Sequence, residues 1–401
     1  MLYVGIDIAK HDHVVGAIDE RGRSCARPMS FKNSSSGFER LAAYLGGLAE
    51  DASGVAVGME ATGHYWLACF CFLEGRGFEV TVINPIRTDA MRRFKNLGKV
   101  KTDVVDCEVI ADTLRCGDFE PSRLADEKVL SLRSLTRLRQ SMTESAADLK
   151  RQVITALDQV FPEYEEMFAD TFGETSKAFL KRCPTPEECM AVDIRTLTRL
   201  VERASHGKCG REKASSLKAA AKCSVGVTLA SDAFSFQIKL LVQQIEFIEA
   251  QVAEVDGKVA DLLSEVEPLI LTIPGVSIKL GAQIVAEIGD VSRFKNASAV
   301  VKYAGICPSK NQSGAFDGQE NKITKQGSPY LRRALYLAAA AQLKTKSPFY
   351  GYYLKKRGEG KAHREALVAV ARKLVHVIYA VLSKQEPYDP DRASAASGKA
   401  L

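Results

Sequence analysis

The sequence predicts an α/β domain followed by mainly all-α sequence. Short apolar runs with a period of two alternate with helical stretches in the first third of the chain, which is typical of a sheet covered by helices. From about residue 126 to 265, leucine and alanine recur at spacings of three and four, the pattern of helices with one buried face. We predict four parts: an α/β domain at 1–125, a helical linker and coiled-coil region at 126–266, a mainly helical domain at 267–385 and a disordered tail at 386–401.

The composition is that of an ordinary globular protein. With 46% hydrophobic and 26% charged residues among 401, the chain can bury two or three cores and is neither disordered nor fibrous. No apolar run approaches the roughly 20 residues that span a bilayer, and no export signal is seen, so we expect a cytoplasmic protein with no membrane partner. The ten cysteines are scattered without a CxxC pair, which predicts reduced thiols and argues against a zinc site.

The net charge of +6 is only mildly basic, so the distribution of the cations says more than their number. Basic residues gather in the stretches 86–101, 130–140 and 322–357. Each stretch taken alone is most simply a solvated helix face. Because several of them flank candidate catalytic residues, contact with a phosphate backbone is the alternative. The candidates in the first stretch are Arg92, Arg93 and Lys95.

Five strands and three helices are predicted in the first domain. Apolar alternation marks strands in LYVGIDIA, in HVVGAID, around CARPMSF, in GVAVGME and in FEVTVIN, which stops at Asn84-Pro85. Helices are predicted after the serines of NSSSGFERL, in HYWLACFCFLEGR and in KTDVVDCEVIADTLRCG. Three strands followed by helix, strand, helix, strand and helix is the order of a ribonuclease H-like domain. It brings the carboxyl ends of the first and fourth strands side by side, where α/β sheets bind ligands.

Two features of the second half have alternative interpretations. The apolar repeat from Phe234 to Leu263 predicts either a coiled coil or a helix hairpin within one chain. Pro274-Gly275 predicts a sharp turn between apolar helices, the second of which begins near Ser277. That arrangement is similar to a helix-hairpin-helix, in which a helix start can meet a DNA phosphate, and it also suits an ordinary helix-breaking turn.

Four carboxylates are candidates for binding Mg²⁺: Asp7, Glu60, Asp103 and Asp106. Asp7 lies inside an apolar strand and Glu60 ends another, positions where an ionised group is costly unless cations or donors compensate it. Asp103 and Asp106 are three residues apart on a helix and so share a face. Hard oxygen ligands suit Mg²⁺, and two such ions can clamp the attacking and leaving oxygens of a phosphoryl transfer.

The alternative for these acids is structural. Strand-end carboxylates also cap helices or form salt bridges, and Asp106 could pair with Lys101 or Arg115. Asp112, farther along the same helix, is a less suitable substitute for a member of the quartet.

Seven stretches carry a resemblance to a known family: YVGIDIAK, GMEATGHYW, NPIRTDAMRRFK, KTDVVDCEVIADTL, IPGVSIKLGAQIVAEIGDVSRF, YAGICPSKNQSG and ITKQGSPYLRRAL. The chain resembles the transposases of the insertion sequence 110 family, relatives of the Piv-type DNA invertases. The resemblance implies a RuvC-like DEDD domain, whose four acids fall on the quartet named above, and a C-terminal transposase domain. It also implies an element-encoded bridge RNA that guides the protein to target and donor DNA, and a homo-oligomer, a dimer or tetramer, whose subunits share composite sites.

The resemblance points to Ser313 as the nucleophile that attacks DNA and forms a covalent intermediate. From the residues alone, Ser313-Gly314 in a polar loop is more simply a turn. Ser309 is a rival, whereas Ser328 is better placed to cap the helix that begins at Pro329. Lys325, Arg332 and Arg333 are the candidates there for phosphate contacts, with ordinary surface charge as the alternative.

Two further functions remain compatible with the sequence. A RuvC-like metal-dependent endonuclease would cut DNA with water and would not need Ser313. A non-catalytic nucleic-acid-binding scaffold is disfavoured, because four carboxylates would repel phosphates and would have no catalytic role to account for them.

Overall fold

The computed structural model describes residues 1–49, 51–61, 63–95, 102–117, 119, 121–122, 124–308, 312–313, 316–317, 322–344 and 347–390. The chain forms two compact units, Met1–Leu124 and Ala125–Leu401. The part of the predicted tail beyond Pro390 lies outside the described residues.

The first unit is built on a five-stranded mixed sheet. Its strand order is β3-β2-β1-β4-β5, with β1 antiparallel to β2, β2 antiparallel to β3, and β1, β4 and β5 parallel. All five strands were predicted from the sequence. The strands are Leu2–Asp7 (β1), Asp12–Ile18 (β2), Ser24–Lys32 (β3), Val55–Glu60 (β4) and Glu79–Ile83 (β5).

Four helices accompany this sheet in the described residues, one more than the sequence predicted. The additional helix follows Asn84, whose side-chain oxygen accepts a hydrogen bond from the Ile86 N–H at 3.0 Å, with Pro85 at the first helical position. Asn-Pro therefore ends a strand and begins a helix at the same point. The helices are Ser35–Gly46 (α1), Trp66–Glu74 (α2), Pro85–Phe94 (α3) and Asp103–Cys116 (α4).

Helix α4 packs directly on the backbone of the central strands. Gly5 of β1 is in register with Gly16 of β2 and Gly58 of β4, so three glycines form a row across the sheet. A Cβ atom at Gly5 would lie 1.9 Å from the Cys107 carbonyl oxygen of α4. The row thus allows the helix to approach far more closely than any side chain would permit. The opposite face of the sheet is covered by apolar side chains of α1 and α2.

Two long helices form the frame of the second unit. Glu127–Val160 (α5) and Ser231–Val266 (α10) pair antiparallel, and ion pairs join them along their length. Of the two interpretations of the apolar repeat, the structure shows pairing within one chain. Between these helices in sequence lie Glu174–Arg182 (α6), Pro186–Ala191 (α7), Ile194–Ala204 (α8) and Arg211–Lys222 (α9).

The remaining elements of the second unit pack at the other end of the α5–α10 pair. Leu132, Val259 and Leu263 share one apolar core with them, whereas a second core joins α5 and α10 to α6, α8 and α9. The elements are Ile278–Ile288 (α11), Ala297–Tyr303 (α12), Gln312–Ser313 (β6), Phe316–Asp317 (β7), Pro329–Lys344 (α13), Pro348–Gly358 (α14) and His363–Lys384 (α15).

The predicted turn before α11 is confirmed. Gly275 has a φ of +75°, which only glycine adopts without strain, and Ser277 caps α11 by accepting from the Leu280 N–H at 3.4 Å.

Helix α15 is the one helix of the described residues that has the length and apolar composition to cross a membrane. Half of that apolar stretch is buried inside the protein. Its buried residues, among them Leu367 and Leu374, belong to the same apolar core as α11 and α13.

Candidate functional site

Two of the predicted carboxylates end neighbouring parallel strands. Ile6 of β1 is in register with Met59 of β4, so Asp7 and Glu60 follow side by side at the same edge of the sheet. Each lies two residues after a glycine of the row beneath α4, so both belong to the face that α4 covers. Both residues are partly buried.

Helix α4 brings the other two acids to this edge. Its C-terminal half packs over the beginning of the strands, where Ile110 and Leu114 contact Tyr3 and Ala56. The first turn of α4, which contains Asp103 and Asp106, therefore lies towards the carboxyl ends of the strands, where Asp7 is located. Asp106 is 7% exposed, and Asp103 is exposed.

The pKa of the Cys107 thiol on α4 is affected by Asp7 at the end of β1. Burial raises the pKa of Cys107 to about 12, and the neighbouring carboxylates of Glu108 and Asp7 act in the same direction. An anion at Asp7 is therefore near enough to α4 to oppose formation of a second anion on it.

Helix α3 supplies the contacts of two of these acids. The Thr88 hydroxyl is buried and donates to Glu60 Oε2 at 2.8 Å. The Arg92 guanidinium forms an ion pair with Asp106, and its second terminal nitrogen, Nη1, is buried without a hydrogen-bond partner in the described part of the chain. Asp106 thus pairs with a cation that the sequence interpretation did not consider for it.

The basic candidates of α3 fall into two classes. Arg92 and Lys95 face α4, since Lys95 forms an ion pair with Asp112 just as Arg92 does with Asp106. Arg115 also binds Asp112, at 2.9 Å, rather than Asp106. Arg93 is exposed and forms no ion pair within the described residues. Lys101, the other proposed partner of Asp106, lies outside them.

The donor set suits a hard cation, but the side chains are not arranged around one. Among the residues that the structure describes, no group of three or more His, Cys, Asp or Glu side chains is positioned to hold a metal ion. Arg92 already supplies a positive charge to Asp106. The four predicted acids are thus distributed around one end of α4 without forming a coordination sphere.

The predicted serine lies in a segment whose two ends pair with each other. We call residues 306–328 the serine segment. Its base is closed by the Thr324 N–H, which donates to the Cys307 carbonyl at 2.9 Å, and by a bridge between Pro308 and Ile323. Ser313 pairs with Phe316 in the short β6–β7 hairpin. Ser309 and Gly314 lie outside the described residues.

A fully buried carboxylate that the sequence interpretation missed lies under the end of this segment. Glu287 of α11 is 0% exposed and accepts two hydrogen bonds from Arg137 of α5, at 2.7 and 3.0 Å. It also accepts from the Ser328 hydroxyl at 2.7 Å. Ser328 in turn accepts from the Leu331 N–H at 3.1 Å, which confirms its predicted role as the cap of α13. The available signal was an acidic residue within the apolar run IVAEI.

The other basic candidates lie close to this base. Arg332 donates to the Ala304 carbonyl at 3.1 Å and so holds the beginning of the segment. Lys325 is exposed with a φ of +54°, and its N–H donates to the Gly305 carbonyl at 3.0 Å. Arg333 is partly buried on α13. None of the three cations forms an ion pair within the described residues.

Two family models match the chain in the two places where the acids and the serine segment lie. The DEDD_Tnp_IS110 model, described as a transposase, matches residues 4–162. The model described as the transposase IS116/IS110/IS902 family matches residues 267–354.

Curated relatives match over nearly the whole chain. An insertion element IS116 protein of Streptomyces clavuligerus is 26% identical over 97% of this chain and 96% of its own length. A mini-circle putative transposase for IS117 of Streptomyces coelicolor is 24% identical over 98% of this chain and 97% of its own length. A pilin gene-inverting protein of Moraxella bovis is 24% identical over 96% and 97%, respectively. The first matched transposase domain contains the four predicted acids, and the second contains the serine segment. The chain belongs to the IS110 family of transposases and DNA invertases.

Proposed function

We propose that this transposase recombines DNA by direct attack of Ser313 on the phosphodiester backbone, assisted by Mg²⁺ at Asp7, Glu60, Asp103 and Asp106. The observation that carries the metal assignment is the pairing of β1 with β4, which sets Asp7 beside Glu60 under the first turn of α4. The strand order 3-2-1-4-5 supports the ribonuclease H-like fold that the sequence predicts. In such a domain these strand ends are the ligand-binding edge.

The carboxylates would hold the ion, and Mg²⁺ bound there would supply Lewis acidity to a phosphate oxygen. Thr88 keeps Glu60 oriented by donating to its Oε2. Arg92 balances the charge of the buried Asp106 carboxylate, which would otherwise be costly to keep ionised. Lys95 and Arg115 do the same for Asp112, which lies six residues farther along α4 and is not part of the proposed metal set.

The reaction at Ser313 exchanges one ester bond for another. The serine Oγ forms a bond to phosphorus, the bond from phosphorus to one deoxyribose oxygen breaks, and the hydroxyl proton ends on the released oxygen. The protein–DNA ester conserves the energy of the broken linkage, so a second strand can reverse the step with no external energy source. The paired base of the serine segment supports this role, since it holds together the two ends of the segment that carries Ser313.

The proposed partners are target and donor DNA, a guide RNA encoded by the element, and further copies of the chain in a dimer or tetramer. The family membership and the insertion-element relatives support DNA as substrate. The guide RNA and the oligomer rest on the family resemblance alone. Arg93, Lys325 and Arg333 are the candidates for phosphate contacts, because none of them is used in an ion pair within the described part of the protein.

The nucleophile is tested by trapping the covalent adduct. Wild-type protein is incubated with donor and target DNA and Mg²⁺, denatured, and examined for DNA that stays bound. We expect Ser313→Ala to abolish the adduct and to retain DNA binding, whereas the neighbouring Ser309→Ala retains both. An adduct that persists in Ser313→Ala refutes the assignment, and cleavage without any adduct favours a water-using endonuclease.

The metal site is tested by calorimetric titration of Mg²⁺ in the absence of DNA. Asp7→Asn and Glu60→Gln should each weaken binding at least about tenfold, as expected for loss of a charged ligand. Asp51→Asn is the control, since this exposed carboxylate caps a short 3-10 helix away from the edge. Equal Mg²⁺ affinity in all variants would be incompatible with the proposal. Sequencing of the nucleic acid that co-purifies with the protein tests for the guide RNA.

A further inference from the structure

Helices α14 and α15 form a hairpin with a strongly basic outer face. Residues 348–376 contain seven lysines and arginines and two acids. The cations are Lys355, Lys356, Arg357, Lys361, Arg364, Arg372 and Lys373. We call them the hairpin cations.

Both acids of the hairpin are already occupied locally. Glu359 forms an ion pair with Lys356 at 2.7 Å. Glu365 accepts from the Ala362 N–H at 3.2 Å and so completes the start of α15. Apart from Lys356, none of the hairpin cations forms an ion pair with any residue that the structure describes. The charge of the other six hairpin cations is therefore not balanced by a carboxylate in the hairpin or elsewhere in the described residues.

Lys355 and Lys356 of α14 lie close to Lys373 of α15. The Lys373 ammonium of α15 lies 3.9 Å from the centre of the Tyr352 ring of α14, and Lys356 lies 5.4 Å from the same ring. Burial lowers the pKa of Lys373, and the nearby charges of Lys355 and Lys356 lower it further. Like charges held this close repel one another, and an external anion would relieve that repulsion.

The hairpin joins the rest of its unit through apolar contacts rather than through these charges. The hairpin is attached through its other side, where Phe349, Leu367 and Leu374 are buried in the apolar core. Arg364 and Arg372 are exposed and project from positions eight residues apart on α15, so they lie about 12 Å apart along one side of the helix. At a rise of about 3.4 Å per nucleotide, that distance covers three to four phosphates of one strand.

We propose that the outer face of the α14–α15 hairpin binds the phosphate backbone of duplex DNA, through residues other than the four predicted acids and the serine segment. A row of exposed cations without a closed pocket suits an extended polyanion rather than a small ligand. The proposal rests on the DNA-acting function of the family, but it requires neither Ser313 nor bound metal.

Binding of duplex DNA by the full-length protein, freed of co-purified nucleic acid, tests this directly. Fluorescence anisotropy is measured over a range of salt concentrations in chelator, so that no metal-dependent step contributes. The variant combines Lys355→Gln, Arg364→Gln and Arg372→Gln. If each cation meets one phosphate, the slope of log K against log salt concentration should become shallower by about 3, with weaker binding at low salt on every sequence.

The matched control removes the same charge at lysines that already pair with a carboxylate. It combines Lys128→Gln, Lys181→Gln and Lys258→Gln. We expect its salt slope to equal that of the wild type. An unchanged slope in the hairpin variant, or an equal loss in the control, overturns the proposal. A slope that changes with an RNA duplex but not with DNA also overturns it. Circular dichroism establishes that both variants are folded, and failure of the serine mechanism would leave this result unaffected.

Discussion

Replacement of Arg137 by glutamine tests how strongly the buried ion pair between Arg137 and Glu287 stabilises the protein. Glu287 is 0% exposed and its charge is balanced by the two hydrogen bonds from Arg137. The same contact raises the pKa of Arg137 through its hydrogen bond to Glu287. The variant removes the cation and leaves the carboxylate buried with the Ser328 hydroxyl as its remaining side-chain donor in the described residues.

The expected cost follows from the burial of the two partners. Removal of one member of a buried ion pair costs about 3–5 kcal/mol, because the other charge is left uncompensated. The Arg137 side chain is 42% exposed, so water screens part of the interaction and the lower end of that range applies. We therefore expect the free energy of unfolding to fall by about 3 kcal/mol. For the exposed pair Arg76–Glu39, with side chains 43% and 57% exposed, Arg76→Gln should cost less than about 1 kcal/mol.

A double-mutant cycle separates this pair from general damage to the helix. Urea unfolding is followed by far-ultraviolet circular dichroism for Arg137→Gln, Glu287→Gln and the double variant. With a slope of about 3 kcal/mol per M, the midpoint of Arg137→Gln falls by about 1 M. The double variant should be more stable than the sum of the two losses implies, by at least about 1 kcal/mol. Additive losses, within about 0.5 kcal/mol, would refute the buried pair.

Three further predictions use other parts of the molecule. Gly5→Ala should prevent stable folding of the first unit, because its Cβ would meet the Cys107 carbonyl oxygen at 1.9 Å. Gly257→Ala in α10 has open space around it, so in thermal unfolding it should stabilise the protein by about 0.5–1 kcal/mol. Burial opposes ionisation of Glu249 and Asp256, but lysine and arginine partners lower both pKa values below the ordinary 4.5 and 3.8. These two carboxylates should contribute fully to the free energy of unfolding above pH 4.5, and their contribution should disappear as the pH falls through their lowered pKa values in the folded protein. A free energy of unfolding that does not change with pH below 4.5 would contradict this. Burial raises the pKa of Cys69 to about 12, so its thiol should resist alkylation of the folded protein at pH 8, and rapid labelling there would show that it is accessible.

Local patterns were sufficient for much of the first unit. Period-two alternation identified all five strands, and strand order alone predicted that the ends of the first and fourth would be neighbours. Asp7 and Glu60 could be selected because a carboxylate at the end of an apolar strand is a departure from that pattern. The helix start near Ser277 and the capping role of Ser328 could be predicted because capping is decided within three residues of the chain.

Only the tertiary structure determined which charged side chains form ion pairs with each other. Arg92 lies 14 residues from Asp106 in sequence and was predicted to contact phosphate. In the structure it lies on the side of α3 that faces α4 and forms an ion pair with Asp106. Arg137 and Glu287 are 150 residues apart, so no window of sequence contains both. Helical and strand periods are properties of neighbouring residues, and the sequence determines them directly. Ion pairs across a core depend on how distant elements pack, because the desolvation that makes them matter arises only after packing.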